Sequence, residues 1–257
     1  VPFHMWVPDV YHGAPTSVAA FVGTAPKIAA VMFAFRILLT GFGEVHQYWA
    51  PMFAVLAVAS LVVGNLAAIM QTNIKRMLAY STVSHMGFIL LAFMAGSIGS
   101  TAGLYYAITY ALMAAAGFGI LMVLSTDNIE CEEIKDLAGL NQRHAWFALL
   151  MLLVMFSMAG IPPLMGFYAK FGVIMVLLKF HYVWLSVFAV VMSLIGAFYY
   201  LRVVKVMYFD EPTHDQSIGS NYAAKFFLSV NAFLLVLWGV MPQTMIDWCA
   251  KALENTL

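Results

Sequence analysis

Two lysines lie deep inside apolar stretches of this 257-residue chain, where a charged side chain is costly. Lys27 stands near the middle of an apolar run over 14–40, and Lys170 lies within another run over 146–178. A lysine at the centre of a membrane helix costs about 2.5–3.5 kcal/mol, and such residues usually face a cavity or a transport pathway. The alternative is that each side chain extends to the membrane interface, but both lie too deep to do so easily. Because burial disfavours the charged ammonium, we interpret both lysines as candidates for proton exchange.

The segment GIPPLMGFYAK, residues 160–170, places two adjacent prolines beside one of these lysines. Pro162 and Pro163 lack backbone N–H groups, so they free carbonyl oxygens one turn earlier in a helix. In lipid such a break persists only where protein or a water-filled cavity satisfies the freed groups. The pattern therefore predicts a hydrated helix break at which Lys170 gains and loses a proton. A kink that serves only packing is the alternative.

A third candidate group lies in NIKRMLAYSTVSHMGF, residues 73–88. His85 is ten residues after Lys75, nearly three helical turns, and Ser81, Thr82 and Ser84 precede it closely. Histidine is the side chain that changes charge most readily near neutral pH, and hydroxyl groups can hold a chain of water molecules. We interpret His85 as a candidate proton relay, with a buried structural histidine as the alternative. Lys75 is either a charge that anchors the helix end or part of the same pathway, whereas Arg76 is better explained as an anchor.

The composition requires a membrane protein. The chain is 63% hydrophobic and 9% charged, with a mean hydropathy of +0.90, whereas a soluble domain is about one-quarter charged. The net charge of zero gives no support for nucleic-acid binding. Because residue 1 is valine, we expect the chain to start partway through a larger protein.

The apolar segments predict an all-α, polytopic membrane helix bundle with about seven spanning helices, since one crossing needs about 20 apolar residues. The fifth segment is too long for one straight crossing, and we expect it to break at Gly160–Pro163. Polar loops are expected at 126–144 and 209–220. The predicted spans are 14–40, 50–70, 75–96, 101–125, 145–179, 182–208 and 221–248.

The basic residues orient this bundle, because cytoplasmic loops carry an excess of lysine and arginine. One face has Arg36, Lys179 and Lys251. The other face is predicted to be cytoplasmic and has Lys75, Arg76, Lys135, Arg143, Arg202, Lys205 and Lys225. Cys131 and Cys249 fall on opposite faces in this topology, so we expect them not to form a disulfide.

The acidic residues all fall in loops or at the ends of spans, so Lys27 and Lys170 have no obvious carboxylate partner. We interpret the acidic stretch 131–136 as a solvated face. The sequence has no phosphate-binding glycine loop, metal-ligand cluster or haem-binding pattern, and we expect no redox site in this chain. The acids are Asp9, Glu44, Asp127, Glu130, Glu132, Glu133, Asp136, Asp210, Glu211, Asp215, Asp247 and Glu254.

Four segments resemble the antiporter-like membrane subunits of respiratory complex I. They are VPFHMWVPDVYHGAPTSVAAF, APKIAA, GNLAAIMQTNIKRMLAYSTVSHMGF and SMAGIPPLMGFYAKFGV, and they occur in the order typical of that family. The resemblance implies inverted five-helix repeats, each with one broken helix. Residues 1–13 would end a preceding broken helix and its connection, and 14–40 would be the last helix of the first repeat. The second repeat would cover 50–208, with its broken helix at 145–179, and 221–248 would be a C-terminal transmembrane helix.

The resemblance also implies a function and a set of site residues. Lys27 matches the lysine that connects two half-channels, Lys170 matches the lysine of the second broken helix, and Lys75 and His85 match polar residues of the intervening helix. The implied activity is proton translocation in the bacterial inner membrane, driven by quinone reduction elsewhere in the complex. Other membrane-arm subunits would be the partners, and quinone, FMN and iron–sulfur clusters would bind to other subunits. An Mrp-type sodium/proton antiporter subunit and a passive assembly scaffold are the competing hypotheses.

Overall fold

The computed structural model describes residues 1–125, 130–212 and 222–254, and these form a bundle of α-helices. Asp127 and Asp215 lie outside the described residues, as do parts of both predicted polar loops. A π-helical turn at Ile37–Gly41 and two 3₁₀ turns at Gly43–Val45 and Ile134–Leu137 accompany the helices. The helices are α1 Trp6–Gly13, α2 Thr16–Gly23, α3 Ala25–Arg36, α4 His46–Ile69, α5 Ile74–Met94, α6 Gly96–Leu124, α7 Leu140–Arg143, α8 Ala145–Ala159, α9 Met165–Lys179, α10 Val183–Phe209, α11 Tyr222–Val240 and α12 Pro242–Glu254.

Six helical stretches in the described parts of the chain are long and apolar enough to cross a membrane, and α8 is a shorter apolar helix. The predicted all-α membrane bundle is therefore confirmed. The fifth predicted span is divided into α8 and α9, with the interruption beginning at Gly160, as the prolines indicated. The six stretches are Thr16–Gly41, Gly43–Ile69, Ile74–Met94, Gly96–Leu124, Val183–Phe209 and Tyr222–Val240.

Two predicted spans differ from the observed helices. The first is interrupted at Thr24, between α2 and α3, because Pro26 at the start of α3 cannot donate to the preceding turn. The segment predicted at 221–248 is not one helix: α11 ends at Val240, and α12 begins at Pro242. Proline is favoured in the first turn of a helix. The helix α12 buries Met245, Cys249 and Leu253 and packs against α6.

The helix α5 lies at the centre of the bundle and packs against α1, α4, α6 and α9. Its close contact with α4 depends on glycine, because a Cβ atom at Gly64 would lie 2.6 Å from the backbone nitrogen of Ser84. Small residues allow helix backbones to approach each other in membranes. The central position of α5 places His85 inside protein rather than toward lipid.

Hydrogen bonds between loops and helix ends connect the chain at one end of the bundle. The Ile74 backbone N–H donates to the Glu132 carbonyl at 2.7 Å, and the Ile134 N–H donates to the Thr72 carbonyl at 2.9 Å. The Arg202 guanidinium donates to the Gln71 carbonyl at 2.6 Å. These contacts gather several of the basic helix ends that the sequence assigned to one membrane face.

The two cysteines are free and buried, in agreement with the sequence prediction that they do not pair. Burial raises the pKa of the Cys131 thiol to about 12. The thiolate is the reactive form of cysteine, so this residue is an inert part of the packed loop.

Candidate functional site

Lys170 lies at the helix break, with 7% of its surface exposed. Its ammonium donates to the carbonyl oxygens of Met158 and Ala159, each at 2.9 Å, and to the Ser193 hydroxyl at 3.0 Å. In an unbroken helix, the N–H groups of residues 162 and 163 would bind these same two carbonyls. Both positions are proline, so Lys170 replaces the two missing donors.

Two glycines make room for this arrangement. Gly160 ends α8 with φ +87°, and a Cβ atom there would lie 3.0 Å from Lys170 Cδ. A Cβ atom at Gly166 would overlap the carbonyl oxygen of Ser157, so the start of α9 touches the end of α8 directly. The Gly166 N–H donates to the Ser157 hydroxyl at 3.1 Å. The break is therefore held in one geometry around the lysine.

His85 is buried and is held by tyrosine hydroxyls on both sides of its ring. Its Nδ1 atom lies 2.8 Å from the Tyr106 hydroxyl, and its Nε2 atom lies 3.0 Å from the Tyr200 hydroxyl. The Tyr200 hydroxyl also lies 2.6 Å from Ser81 Oγ. A histidine with hydroxyl groups on both nitrogens can take a proton at one nitrogen and release a proton from the other.

Lys27 is half-buried and contacts the same polar cluster from the other side. Its ammonium lies 3.5 Å from both Thr82 Oγ1 and the Tyr110 hydroxyl, two groups that are hydrogen-bonded to each other. It also lies 4.6 Å from the centre of the Tyr110 ring, a cation–π distance. A cavity of about 550 Å³ between α1, α3, α4 and α5 includes Lys27 and Ser60 in its lining. Its lining is mostly apolar, and its polar side chains are His4, Lys27, Ser60 and Thr82.

Side-chain contacts relate Lys27, His85 and Lys170, but the two halves of this chain of contacts differ. The His85 ring packs 4.9 Å from the Tyr110 ring, which contacts Lys27. Toward Lys170, the Phe88 ring stacks on Tyr106, which contacts His85, and lies 5.7 Å from the Lys170 ammonium. Among the residues that the structure describes, no direct hydrogen bond joins His85 to Lys170.

Lys75 is only 1% exposed and contacts a different set of groups. Its ammonium lies 2.8 Å from Glu130 and 2.7 Å from Glu132, and it donates to the Ala14 carbonyl at 3.2 Å. The prediction that the acidic stretch 131–136 is a solvated face holds only in part, because Glu132 is 37% exposed but its carboxylate pairs with Lys75. The ammonium of Lys75 lowers the pKa of the Glu130 carboxyl.

The tyrosines and Ser193 were not predicted from the sequence. Tyr106 and Tyr110 are four residues apart in α6, so they share one face of that helix, and this spacing was the available signal. Tyrosine is enriched at membrane–water interfaces, so these tyrosines did not stand out in the sequence as functional residues. The described parts of the chain contain no group of three or more histidine, cysteine or acidic side chains placed to hold a metal ion.

Comparison with known proteins gives the same family over most of the chain. Residues 1–196 match the family described as NADH:quinone oxidoreductase/Mrp antiporter, TM. The chain is 81% identical to NADH-quinone oxidoreductase subunit N of Neisseria gonorrhoeae over 258 aligned residues, covering 100% of this chain and 54% of that protein. It is 56% identical to subunit N of Laribacter hongkongensis, with the same coverage of each chain. The chain thus spans about half the length of these relatives.

Solved structures agree with these matches. A chain of respiratory complex I from Thermus thermophilus with bound aureothin superposes with a TM-score of 0.82 at 31% identity, covering 96% of this chain and 54% of that chain. A chain of the Mrp complex from Dietzia sp. DQ12-45-1b has a TM-score of 0.89 at 22% identity, covering 100% of this chain and 56% of that chain, which shows the fold alone. On the family match and the sequence relatives together, this chain belongs to the NADH:quinone oxidoreductase/Mrp antiporter transmembrane family.

Proposed function

We propose that this chain translocates protons across the bacterial inner membrane as an antiporter-like subunit of an NADH-quinone oxidoreductase. The observation that carries the proposal is Lys170, a buried lysine held at a helix break by two freed carbonyls and a hydroxyl. A scaffold has no need of such a group, since a packed apolar residue would avoid the cost of burying an ammonium. The 81% identity to a protein named subunit N supports the choice of complex.

In this mechanism a proton moves between Lys27, His85 and Lys170 through side-chain hydroxyls and water. The hydroxyls of Tyr110 and Thr82 serve Lys27, and those of Tyr106 and Tyr200 serve His85. Moving one charge against 100 mV costs about 2.3 kcal/mol, so proton translocation against the membrane potential needs an energy source. We infer that quinone reduction in other subunits supplies it, with quinone, FMN and iron–sulfur clusters bound there and other membrane-arm subunits as neighbours.

We place Lys75 at the edge of this mechanism. Its two carboxylate partners fix its charge, so we propose that it holds the end of α5 and sets the local field rather than passing protons along. For the repeat organisation we propose that 14–40 completes one five-helix repeat and 50–208 forms the next, with α8 and α9 as its broken helix.

An Mrp-type sodium/proton antiporter remains the alternative to this proposal. The likeness to the Mrp complex lies at 22% identity and concerns the fold alone, so it does not favour sodium transport. Proton pumping driven by NADH, in vesicles with no sodium gradient, supports the complex I function. Sodium–proton exchange without NADH would favour the alternative.

The experiment that tests the proposal is the Lys170→Ala substitution in the intact complex, in inverted membrane vesicles supplied with NADH. We expect proton uptake and coupled quinone reduction to fall at least tenfold, because loss of a proton-transfer group typically costs about 10²–10⁴-fold. Lys179→Ala is the matched control, since Lys179 lies in the last turn of the same helix. Unchanged pumping by the Lys170→Ala variant in a fully assembled complex would reject the proposal.

A further inference from the structure

The Lys170 ammonium has three hydrogen atoms and contacts three acceptors in the structure. A protonated lysine is a donor of three hydrogen bonds and accepts none. The carbonyls of Met158 and Ala159 can receive a hydrogen bond but have no proton to exchange. The third acceptor, the Ser193 hydroxyl at 3.0 Å, can both accept and donate. It is therefore the contact of Lys170 that can pass a proton onward.

We infer that Ser193 is the group through which Lys170 gains and loses its proton, an inference that rests on the proposed function. In the release step an N–H bond of Lys170 breaks as that proton bonds to Ser193 Oγ. The original hydroxyl proton of Ser193 passes at the same time to a water molecule, leaving a neutral amine and an unchanged serine. The neutral amine then accepts a hydrogen bond from Ser193, which reverses the bond seen in the structure.

The position of Ser193 fits this role. It is half-buried, whereas Lys170 and the buried Ala189 one turn away are enclosed. Among the described residues the Ser193 hydroxyl has no acceptor of its own, so its proton is free to bond to a further acceptor, such as the water molecule of the release step. Serine holds an extra proton too weakly to store it, so the step is a concerted transfer rather than a resting place.

The helix α10 also connects Ser193 to the histidine cluster. Ser193 and Tyr200 are seven residues apart, two helical turns, and so lie on one face of α10. One contacts Lys170 and the other contacts His85. The Phe88 ring lies 5.7 Å from the Lys170 ammonium and stacks on Tyr106, which contacts His85. The face of α10 offers polar contacts to both titratable groups.

The test compares Ser193→Ala and Ser193→Thr in the assembled complex, with NADH-driven proton pumping and the solvent deuterium isotope effect on turnover as the readouts. We expect the alanine variant to lose about tenfold or more in pumping, with a larger isotope effect because proton transfer becomes rate-limiting. The threonine variant keeps a hydroxyl and should stay within about twofold of the wild type. Ser186→Ala is the matched control, because the Ser186 hydroxyl, on the same helix, donates to the Tyr182 carbonyl.

Pumping within twofold of the wild type and an unchanged isotope effect in Ser193→Ala would overturn the inference. If the alanine variant does not assemble, Ser193→Cys takes its place, since a thiol is similar in size and a poor hydrogen-bonding group, with the same expectation. A normal Ser193→Ala variant beside an impaired Lys170→Ala variant rejects the inference alone. A normal Lys170→Ala variant rejects the proposed function as well.

Discussion

Lys170 and the helix break depend on each other. Two prolines remove the donors for the Met158 and Ala159 carbonyls, and the lysine ammonium supplies donors in their place. An unsatisfied backbone carbonyl is costly in a membrane, and a lysine without acceptors is costly too. The freed carbonyls and the buried ammonium satisfy each other through the hydrogen bonds that the lysine donates. A neutral amine keeps two N–H groups, so both carbonyls stay bonded when Lys170 releases a proton, and the contact with Ser193 is the one that changes.

His85 should be essential as a group that exchanges protons rather than as packing. We predict that His85→Gln, which keeps a polar side chain of similar reach, lowers NADH-driven proton pumping at least tenfold, because glutamine does not carry a proton at neutral pH. The measurement is proton uptake by inverted vesicles, normalised to the assembled complex. His12→Gln is the control, since His12 is exposed at the end of α1. Wild-type pumping by His85→Gln would contradict the relay role.

The candidate lysines and the histidine could be predicted from sequence because charged or titratable side chains stand out in apolar runs. The groups that surround them could not. Tyr106 and Tyr200 look like ordinary aromatic residues of a membrane protein, and only the packing of α5, α6 and α10 places their hydroxyls on the two nitrogens of His85. Ser193 is 23 residues from Lys170 in sequence, and no local pattern joins them.

At the scale of elements, the crossing of α8 and α9 sets the position of the lysine. Gly166 lets the two helices touch, and the Ser157 side chain accepts a hydrogen bond from its N–H group. The α11 helix packs against the same break, because a Cβ atom at Gly239 would lie 2.7 Å from the carbonyl carbon of Leu164. Protein rather than lipid therefore covers this side of the break.

Widening that crossing should disturb the lysine. We predict that Gly166→Ala forces α8 and α9 apart, because the added methyl group would overlap the Ser157 carbonyl. The expected loss of stability is about 1–3 kcal/mol, as for other overpacked sites. Because Lys170 is misplaced, the variant complex should pump protons several-fold more slowly. Native-gel assembly after heating and proton uptake measure the two effects.

Gly172→Ala is the matched control for this prediction. Gly172 lies on the same helix, and a Cβ atom there would meet Ala102 at 3.9 Å, an ordinary contact. We expect this variant to behave as the wild type. Equal stability and pumping in the two glycine variants would show that the close crossing does not position the lysine.

The helix ends show where hydropathy alone misleads at this scale. The predicted span over 221–248 ran through residues 241–248, MPQTMIDW, although these include Gln243, Thr244 and Asp247. Pro242 instead starts a new helix, and three apolar residues of α12 face α6 while Trp248 is exposed. Amphipathic spacing rather than mean hydropathy identifies this segment.

At the scale of the whole molecule, Lys75 joins three parts of the chain. Its ammonium contacts the Ala14 carbonyl before α2 and the carboxylates of Glu130 and Glu132 in the loop after α6. Thr16 donates to the same Glu130 carboxylate at 2.9 Å. The buried charge is therefore compensated by groups that are far apart in sequence, which is why its partners could not be predicted.

Removing both carboxylates should destabilise this end of the bundle. We predict that the Glu130→Gln, Glu132→Gln double variant loses on the order of 1–2 kcal/mol, less than for a fully buried pair because the carboxylates are 39% and 37% exposed. Retention of the assembled complex after heating is the measurement. Glu211→Gln, in an exposed position after α10, is the control, and an equal loss in both variants would contradict the prediction.

The stability that the Lys75–Glu130 ion pair contributes depends on pH. Lys75 lowers the pKa of Glu130 in the folded chain, so the stability that this carboxylate contributes is complete above the ordinary glutamate pKa of about 4.3. It is lost as the pH falls through the lower value of the folded state. We predict that acidification through this range destabilises the wild type more than Glu130→Gln, measured by thermal inactivation. Equal acid sensitivity in the two proteins would contradict this assignment.

The most direct test of the central claim is a double-mutant comparison of Lys27→Ala, Lys170→Ala and the combined variant, with protons translocated per NADH oxidised in sealed proteoliposomes. If both lysines act in one line through His85, the combined variant should translocate no fewer protons than the more impaired single variant, because groups that act as a unit are not additive. A wild-type proton ratio in either single variant, or independent losses that multiply in the combined variant, would contradict the account.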